Sequence, residues 1–381
     1  MRNASGSAPG ALRVLLATPY GEDGMGGIDR LNDAIVDGFA RRPELGVASR
    51  RLVTRGKGSL WAAQPVFAGA LAQLAWLALR READLLHIHL SVRGSSYRKA
   101  ILAKLARALG LPYVLHLHGT DYRDFWAGTK GPVRSELDRM FAGSARILVL
   151  GEFWAKVVSD LQPESAPKVA VLPNATAAAE PRAHHGSSGS GVCITFLGQL
   201  GWRKGSADLL KALALLRHVP DWTATLAGDG AVTETRQAVR ELGLDGRVSV
   251  PGWIGTGKRT ELLAGTDIVV LPSYAENLPM VILEAFASGV ATVTTPVGAI
   301  PEVVENERNG LLVPPGDVTA LAAAIERLVR DPAFRRRLGV AAWQDHATKF
   351  EIEGYLERLC ALWHEAVAER SHELEKPRAA L

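Results

Sequence analysis

Two carboxylates, Glu276 and Glu284, lie in the segment SYAENLPMVILEAFASG, residues 273–289, directly after the apolar run Ile268 to Leu271. Proline is favoured at the first position of a helix, so a helix is expected to begin near Pro279. That start leaves Glu276 in the preceding loop and Glu284 about one turn inside. Both side chains can then face one crevice. The backbone around Asn277, Leu278, Pro279 and Met280 offers the N–H groups of a helix start, an anion site of the kind that phosphates use. One carboxylate could accept hydrogen bonds from ribose hydroxyls and the other from sugar hydroxyls. A capped helix with two surface glutamates fits the same residues.

A second chemical element is FLGQLGWRKGSADLLKAL, residues 196–213, which reads as a strand, a glycine-rich turn and a helix. Gly198, Gly201 and Gly205 let the backbone turn tightly or approach a ligand, and Lys204 offers a compact positive charge for a diphosphate. A basic loop capping a helix fits equally. Nearer the N-terminus, PYGEDGMGGIDRLNDAIVDGF places Gly26 and Gly27 just before a helix, where backbone amides can approach a phosphate or a sugar. The run HLHG puts His118 and Gly119 at the end of a strand, the edge at which open α/β sheets present ligands. His87, His89 and His116 alternate with their neighbours and read as scaffold, with His89 able to edge the same cleft.

These residues need elements to hold them. Short apolar runs without strict alternation recur between helix-length segments, the pattern of parallel strands buried on both faces. The class is α/β. Strands are expected at 13–18, 85–89, 113–118, 147–150 and 169–172, then at 193–197, 223–227, 248–250, 268–271, 291–294 and 310–313. Between the two sets runs AAAEPRAHHGSSGSG, with the composition of a linker. The expected organisation is therefore an N-terminal domain at 1–181, a linker at 182–191 and a C-terminal domain at 192–350. A last helix, about 351–370, is expected to pack back on the first domain. His184 and His185 read as solvated linker residues.

The segment from Ser273, with the flanking TDIVVLPS and TPVGAIPEVVENERNGLLVPPGD, resembles the donor-binding signature of the retaining family-four glycosyltransferases of the GT-B fold. VLPNAT, LAGDG and VSVPGWI stand in the expected order, and the resemblance runs from Val14 to about Leu338. It implies two Rossmann-like domains facing a central cleft. By the same resemblance Glu276 addresses the transferred sugar, Glu284 binds the nucleotide ribose, Lys204 is the diphosphate lysine, and His118 lies near the anomeric carbon. Gln199 stands where the family usually has arginine, and the adjacent Arg203 is the nearest replacement. The pair HIHLSVRGS and HLHGTD looks most like transferases that assemble bacterial capsular polysaccharides and exopolysaccharides.

Composition sets limits on this reading. The 381 residues are 47% apolar and 22% charged, with 38 Gly, 20 Pro and a mean hydropathy of +0.05, which excludes disordered, collagenous and disulfide-scaffold classes. Two domains are expected at this length. Cys193 and Cys360 have neither metal-ligand nor framework spacing and read as buried structural thiols. The charge-free stretch from Gly58 to Leu79 contains Gln64, Pro65, Gly69 and Gln73, and reads as a buried or surface-lying helix rather than a span. Residues 1–190 hold 24 Lys and Arg against 16 Asp and Glu, a balance of +8, while 191–381 hold 20 against 24, or −4. A basic half suggests an anionic partner, although an uneven spread of solvated arginines gives the same count. No basic block with interleaved aromatics points to nucleic acid, and the N-terminus has no convincing secretory signal, so a cytoplasmic protein is expected.

The expected partners are a nucleotide-sugar donor, a saccharide or lipid-linked saccharide acceptor and an anionic membrane surface, with no cofactor. No pair of aspartates one residue apart occurs in the chain, so no metal is expected. Lys204, the helix-start amides and the helix dipole would neutralise the leaving diphosphate. A catalytically silent sugar-nucleotide-binding subunit and a nucleotide-sugar epimerase are the alternatives.

Overall fold

The computed structural model describes residues 10–21, 26–59, 61–179 and 191–375, so the two linker histidines lie outside the described residues. The chain divides into two compact units, residues 1–174 with 352–381, and residues 175–351.

In the first unit the apolar runs form β1 (Leu12–Thr18), β2 (Val47–Val53), β3 (Leu85–Leu90), β4 (Tyr113–Leu117), β5 (Arg146–Val149) and β6 (Val169–Val171). Helices α1 (Gly27–Arg41), α2 (Ala63–Leu79), α3 (Gly94–Ala108), α4 (Tyr122–Gly128), α5 (Gly131–Ala142) and α6 (Glu152–Leu161) connect them. The strands are all parallel, in the order β2-β1-β3-β4-β5-β6. Every residue of β3 and β4 is buried, as strands covered by helices on both faces must be. Strand β2 was not expected: its sequence, VASRRLV, carries two arginines and has an edge position in the sheet. Apolar content therefore did not mark it as a strand.

The second unit repeats the plan with β7 (Val192–Leu197), α7 (Ser206–Leu215), β8 (Trp222–Ala227), α8 (Val232–Glu241), β9 (Val248–Gly252), α9 (Thr256–Ala264) and β10 (Ile268–Leu271). It continues through α10 (Met280–Ala287), β11 (Ala291–Thr294), β12 (Leu311–Leu312), α11 (Val318–Arg330) and α12 (Pro332–Asp345). The parallel order is β12-β11-β10-β7-β8-β9. Successive strands thus add outward from β7 on one side, then cross over and add outward from β10 on the other. This reversal is the topological switch of a doubly wound sheet. In the first unit the same reversal lies between β1 and β3.

The last helix, α13 (Ile352–Glu375), belongs to the first unit. Trp363 on α13 is fully buried, with its ring 5.2 Å from that of Phe39 on α1. Gly38 makes this approach possible, since a Cβ there would come within 2.4 Å of Leu356 Cδ1. Helix α2 buries Phe67, Ala70, Leu74 and Leu77 while Trp76 and Leu79 face solvent, and no helix among the described residues is long and apolar enough to cross a membrane. Cys360 is buried, but Cys193 is only half-buried because it sits near the start of β7 rather than in the sheet's centre.

Burial holds several histidines neutral. His87 is pushed down to about 3 by desolvation and then by its neighbour His118, and His346 is pushed down to about 4 by desolvation against a raising contact from Thr176. Their folded values lie below the unfolded value near 6.5, so the unfolded chain takes up protons first as pH falls. Thermal stability should be flat above about pH 7 and fall progressively from about 6.5 toward 3, by about 1.4 kcal/mol per pH unit for each such histidine. Calorimetric melting across this range checks the sign, and a melting temperature that holds or rises between pH 6.5 and 5 contradicts it.

Candidate functional sites at the two switch points

At the carboxyl ends of β7 and β10 the chain leaves the sheet in opposite directions, so the loops that follow them bound a crevice. After β7 the backbone turns through Gly198 and Gly201, makes one 3-10 turn at Trp202–Lys204, and reverses at Gly205 in the left-handed region with φ 68°. Glycine is required there for a second reason, because a Cβ would lie 2.1 Å from the carbonyl oxygen of Pro272 in the loop after β10. The two loops are therefore in backbone contact. Tyr274 N–H donates to the Arg203 carbonyl at 2.8 Å, and the Arg203 guanidinium donates to the Ala275 carbonyl at 3.4 Å.

This packing brings Lys204 to Glu276. The Lys204 ammonium donates to Glu276 Oε1 at 2.5 Å, and the Ser273 hydroxyl donates to the same oxygen at 2.6 Å. The side chains are 14% and 5% exposed, so the pair has lost most of its water. The Glu276 backbone is held from behind by Gly298, whose φ of 59° and lack of a side chain let it approach the Glu276 carbonyl. Asn277 and Leu278 are buried, and Ala299 N–H donates to the Asn277 carbonyl at 2.9 Å. Pro279 is the N-cap of α10, with extended backbone, rather than its first helical residue, so the helix starts at Met280.

Glu284 projects from α10 to Arg259 on α9. The Arg259 Nε donates to Glu284 Oε2 at 3.1 Å and its Nη2 donates to the same oxygen. Arg259 was missed from the sequence, since no local pattern joins residues 25 positions apart on two helices. Gln199 is exposed, on the same loop as Lys204.

The first unit has its own crevice. A cavity of about 450 Å³ opens where the loops after β1 and β3 separate, and its lining includes Gly26, Gly27, Ser91, His89, Arg55 and Arg98. His118 follows β4, with its amide donating to the Leu90 carbonyl at 2.8 Å and its Nε2 facing His89 Nδ1 at 2.9 Å. Desolvation pushes His118 down to about 3, so it is a neutral imidazole at physiological pH. Gly119 passes close to the β3–α3 loop, its absent Cβ within 3.2 Å of Val92 N.

Behind it lie the scaffold histidines. The Trp363 indole N–H, a donor only, points to His87 Nδ1 at 2.9 Å. A neutral His87 must then carry its proton on Nε2 and donate it to His116 Nδ1 at 3.3 Å. His87, His89 and His116 bring ring nitrogens within 4.8 Å of one another, but the proton between His87 and His116 occupies the lone-pair positions that a metal would need. Lys99, fully buried beneath the same edge, donates to the Ala17 carbonyl at 2.9 Å and the Thr54 hydroxyl at 2.7 Å, tying the ends of β1 and β2 together.

The comparisons agree with this architecture. Residues 8–175 match the family model described as "Glycosyl transferase 4-like domain", and residues 191–331 match "Glycosyl transferases group 1". The chain belongs to the family of glycosyltransferases built from these two domains, and its fold is GT-B. It is 33% identical over 229 residues to an exopolysaccharide phosphotransferase of Streptomyces coelicolor, a match that covers 59% of this chain and spans only 24% of that relative's length. It is 25% identical over 324 residues to an alpha-D-kanosaminyltransferase of Streptomyces kanamyceticus, covering 79% of this chain and 83% of the relative. Among solved structures, an Anabaena protein in complex with UDP-glucose superposes with a TM-score of 0.70 at 19% identity, covering 95% of this chain and 100% of that one.

The Lys204–Glu276 pair makes a stability prediction. Removing one partner of a buried ion pair strands the other charge at a cost on the order of 3 kcal/mol, whereas removing both leaves none. Chemical denaturation should find Lys204→Met and Glu276→Gln each destabilised by about that amount and the double variant less destabilised than their sum. Additive losses would show that the pair is not coupled.

Proposed function

We propose that the protein transfers a sugar from a nucleotide-sugar donor to a saccharide acceptor, with retention of anomeric configuration, in the synthesis of a cell-surface polysaccharide. The observation that carries this reading is the desolvated Lys204–Glu276 pair at the switch point of the C-terminal sheet, beside the uncapped start of α10. In this reading the donor diphosphate takes its positive partners from Lys204 and the amides at the start of α10. Ser273 and Lys204 both occupy Glu276 Oε1, which leaves Oε2 to accept from a hydroxyl of the transferred sugar. Glu284, oriented by Arg259, accepts from the ribose. The complex of the Anabaena fold relative with UDP-glucose supports a uridine nucleotide as the first donor to test.

In the reaction, the bond between the anomeric carbon and the diphosphate oxygen breaks, and the acceptor hydroxyl oxygen bonds to that carbon on the same face. The hydroxyl proton passes to the departing phosphate oxygen, so no side chain is consumed as a base. Neutral His118 positions the sugar rather than accepting the proton. Stabilising the charge that grows on the leaving group is then the main catalytic task.

Lys204→Ala should lower turnover with UDP-glucose or a related donor by about 3 kcal/mol of transition-state stabilisation, and Arg203→Ala by at least tenfold, about 1.4 kcal/mol. EDTA should leave the rate unchanged, because the chain has no pair of aspartates one residue apart to hold a metal on the diphosphate. Loss of activity in EDTA, restored by magnesium, overturns the metal-independent mechanism. The neutral Gln199 favours one second reading, a silent binder: wild type would then bind UDP without turnover, and Gln199→Arg alone would bring activity.

A lipid-linked acceptor at an anionic membrane surface completes the proposal. Trp76 and Leu79 are exposed at the end of α2 beside Arg80 and Arg81, with the Arg80 guanidinium carbon 5.0 Å from the Trp76 ring centroid, a set of aromatic and basic side chains suited to a lipid interface. Sedimentation should show salt-sensitive binding to vesicles rich in phosphatidylserine. Equal binding to phosphatidylcholine vesicles, or none to either, contradicts the membrane part.

A further inference from the structure

Lys204 and Glu276 each have a task in the transfer proposed above, yet in the folded chain each is the other's partner. The Lys204 ammonium lies 2.5 Å from Glu276 Oε1, and the two side chains are 14% and 5% exposed. At that separation, with little water between them, the carboxylate cancels most of the attraction that the lysine would exert on another anion. A diphosphate entering the crevice meets a neutral pair. Whether the ammonium then leaves Glu276 or divides its three donors between two anions, the carboxylate loses part of its compensation. A buried carboxylate deprived of its cation is costly.

Glu276 has little else to turn to. Among the described residues the donors to its carboxylate are Lys204 and the Ser273 hydroxyl, at 2.6 Å, and both use Oε1. Ser273 is fully buried, and its carbonyl accepts from the buried Thr295 hydroxyl at 2.6 Å. On the other side of the loop a Cβ at Gly298 would lie 2.1 Å from the Glu276 carbonyl oxygen. The loop is therefore clamped from both sides, and Ser273 keeps the carboxylate in the crevice when its lysine is drawn toward a diphosphate. A sugar hydroxyl donating to Oε2 would offset the loss with a charge-assisted hydrogen bond. A nucleotide without a sugar brings no such donor.

We infer that the Lys204–Glu276 pair is a release device: Glu276 holds down the affinity of the crevice for a diphosphate, and a hydroxyl of the attached sugar lifts that restraint. Ser273 is the positioning residue that keeps the carboxylate in place in both states. The identity of the ligand as a nucleotide sugar rests on the donor reading above, whereas the coupling between an anion at Lys204 and a hydroxyl at Glu276 rests on the pair itself. Coupling of this kind is reciprocal, so sugar and diphosphate each strengthen the hold on the other. Its consequence is directional. When transfer carries the sugar away, Glu276 loses its hydroxyl donor, draws Lys204 back and loosens the nucleotide that remains.

Isothermal titration of the full chain with UDP-glucose, UDP and inorganic pyrophosphate tests the device. Glu276→Gln removes the charge and keeps the shape, so Lys204 no longer has a competing anion. This variant should bind UDP and pyrophosphate about tenfold more tightly than wild type and UDP-glucose no more tightly. Ser273→Ala keeps the charge and removes one donor from the carboxylate. It should weaken UDP about tenfold and UDP-glucose by less than about threefold, because the sugar hydroxyl still serves Glu276. A merely structural role for Ser273 would weaken both alike. UDP and pyrophosphate binding no tighter to Glu276→Gln than to wild type overturns the inference. If Glu276→Gln does not fold, Ser273→Ala decides alone, and equal weakening of the two nucleotides is the contrary result. Failure of wild type to bind either nucleotide, with pyrophosphate still tighter on Glu276→Gln, would instead remove the donor reading and support the coupling.

Discussion

The functional architecture depends on one constraint, the reversal of strand order within each parallel sheet. Parallel strands linked through helices send their carboxyl ends to a single edge. Only where the winding direction changes do the helices after two adjacent strands run to opposite faces of the sheet, so that the loops and helix starts between them bring backbone amides and side chains to one edge. In the C-terminal sheet that point lies between β7 and β10 and holds Lys204 and Glu276. In the N-terminal sheet it lies between β1 and β3 and opens the cavity of Arg55, Arg98 and Asp29.

The two sites solve the problem of buried charge differently. Lys204 and Glu276 neutralise one another, so the C-terminal crevice holds a cation and an anion at low dielectric with modest net cost. Arg55 and Arg98 have no such compensation among the described residues. Buried titratable groups support the N-terminal edge. The histidines of β3 and β4 are kept uncharged by burial, and Lys99 is shifted well below its ordinary value by the same desolvation while its donors are used on Ala17 and Thr54. A row of protonated imidazoles beside those arginines would make the N-terminal edge prohibitively positive.

Much of this was legible in the sequence. Ten of the runs read as strands form strands of three to seven residues, and the eleventh, at 310–313, shrinks to the two-residue β12. Strand β2 was hidden by its arginines, which an edge strand can tolerate because one side of its ladder is open. The glutamate spacing and the lysine turn marked the C-terminal crevice because both lie within single loops. Ser273, three residues from its partner Glu276, lies in that same loop, but Arg259, the Trp363–His87–His116 chain and the cavity arginines could not be read in the same way. They depend on which loops the topology brings together, with 276 residues separating Trp363 from His87. Pattern within a segment is visible to sequence reasoning, while contact across a parallel sheet is not.

The central claim is that a nucleotide sugar is held at the switch point of the C-terminal sheet by the loops that follow β7 and β10. Hydrogen exchange of the full chain with and without saturating UDP-glucose tests it at the level of individual segments. The account predicts that the amides gaining protection fall mainly in residues 198–205 and 273–284. Protection confined to the N-terminal unit, or no segment protected at ligand concentrations that raise the melting temperature, would contradict it.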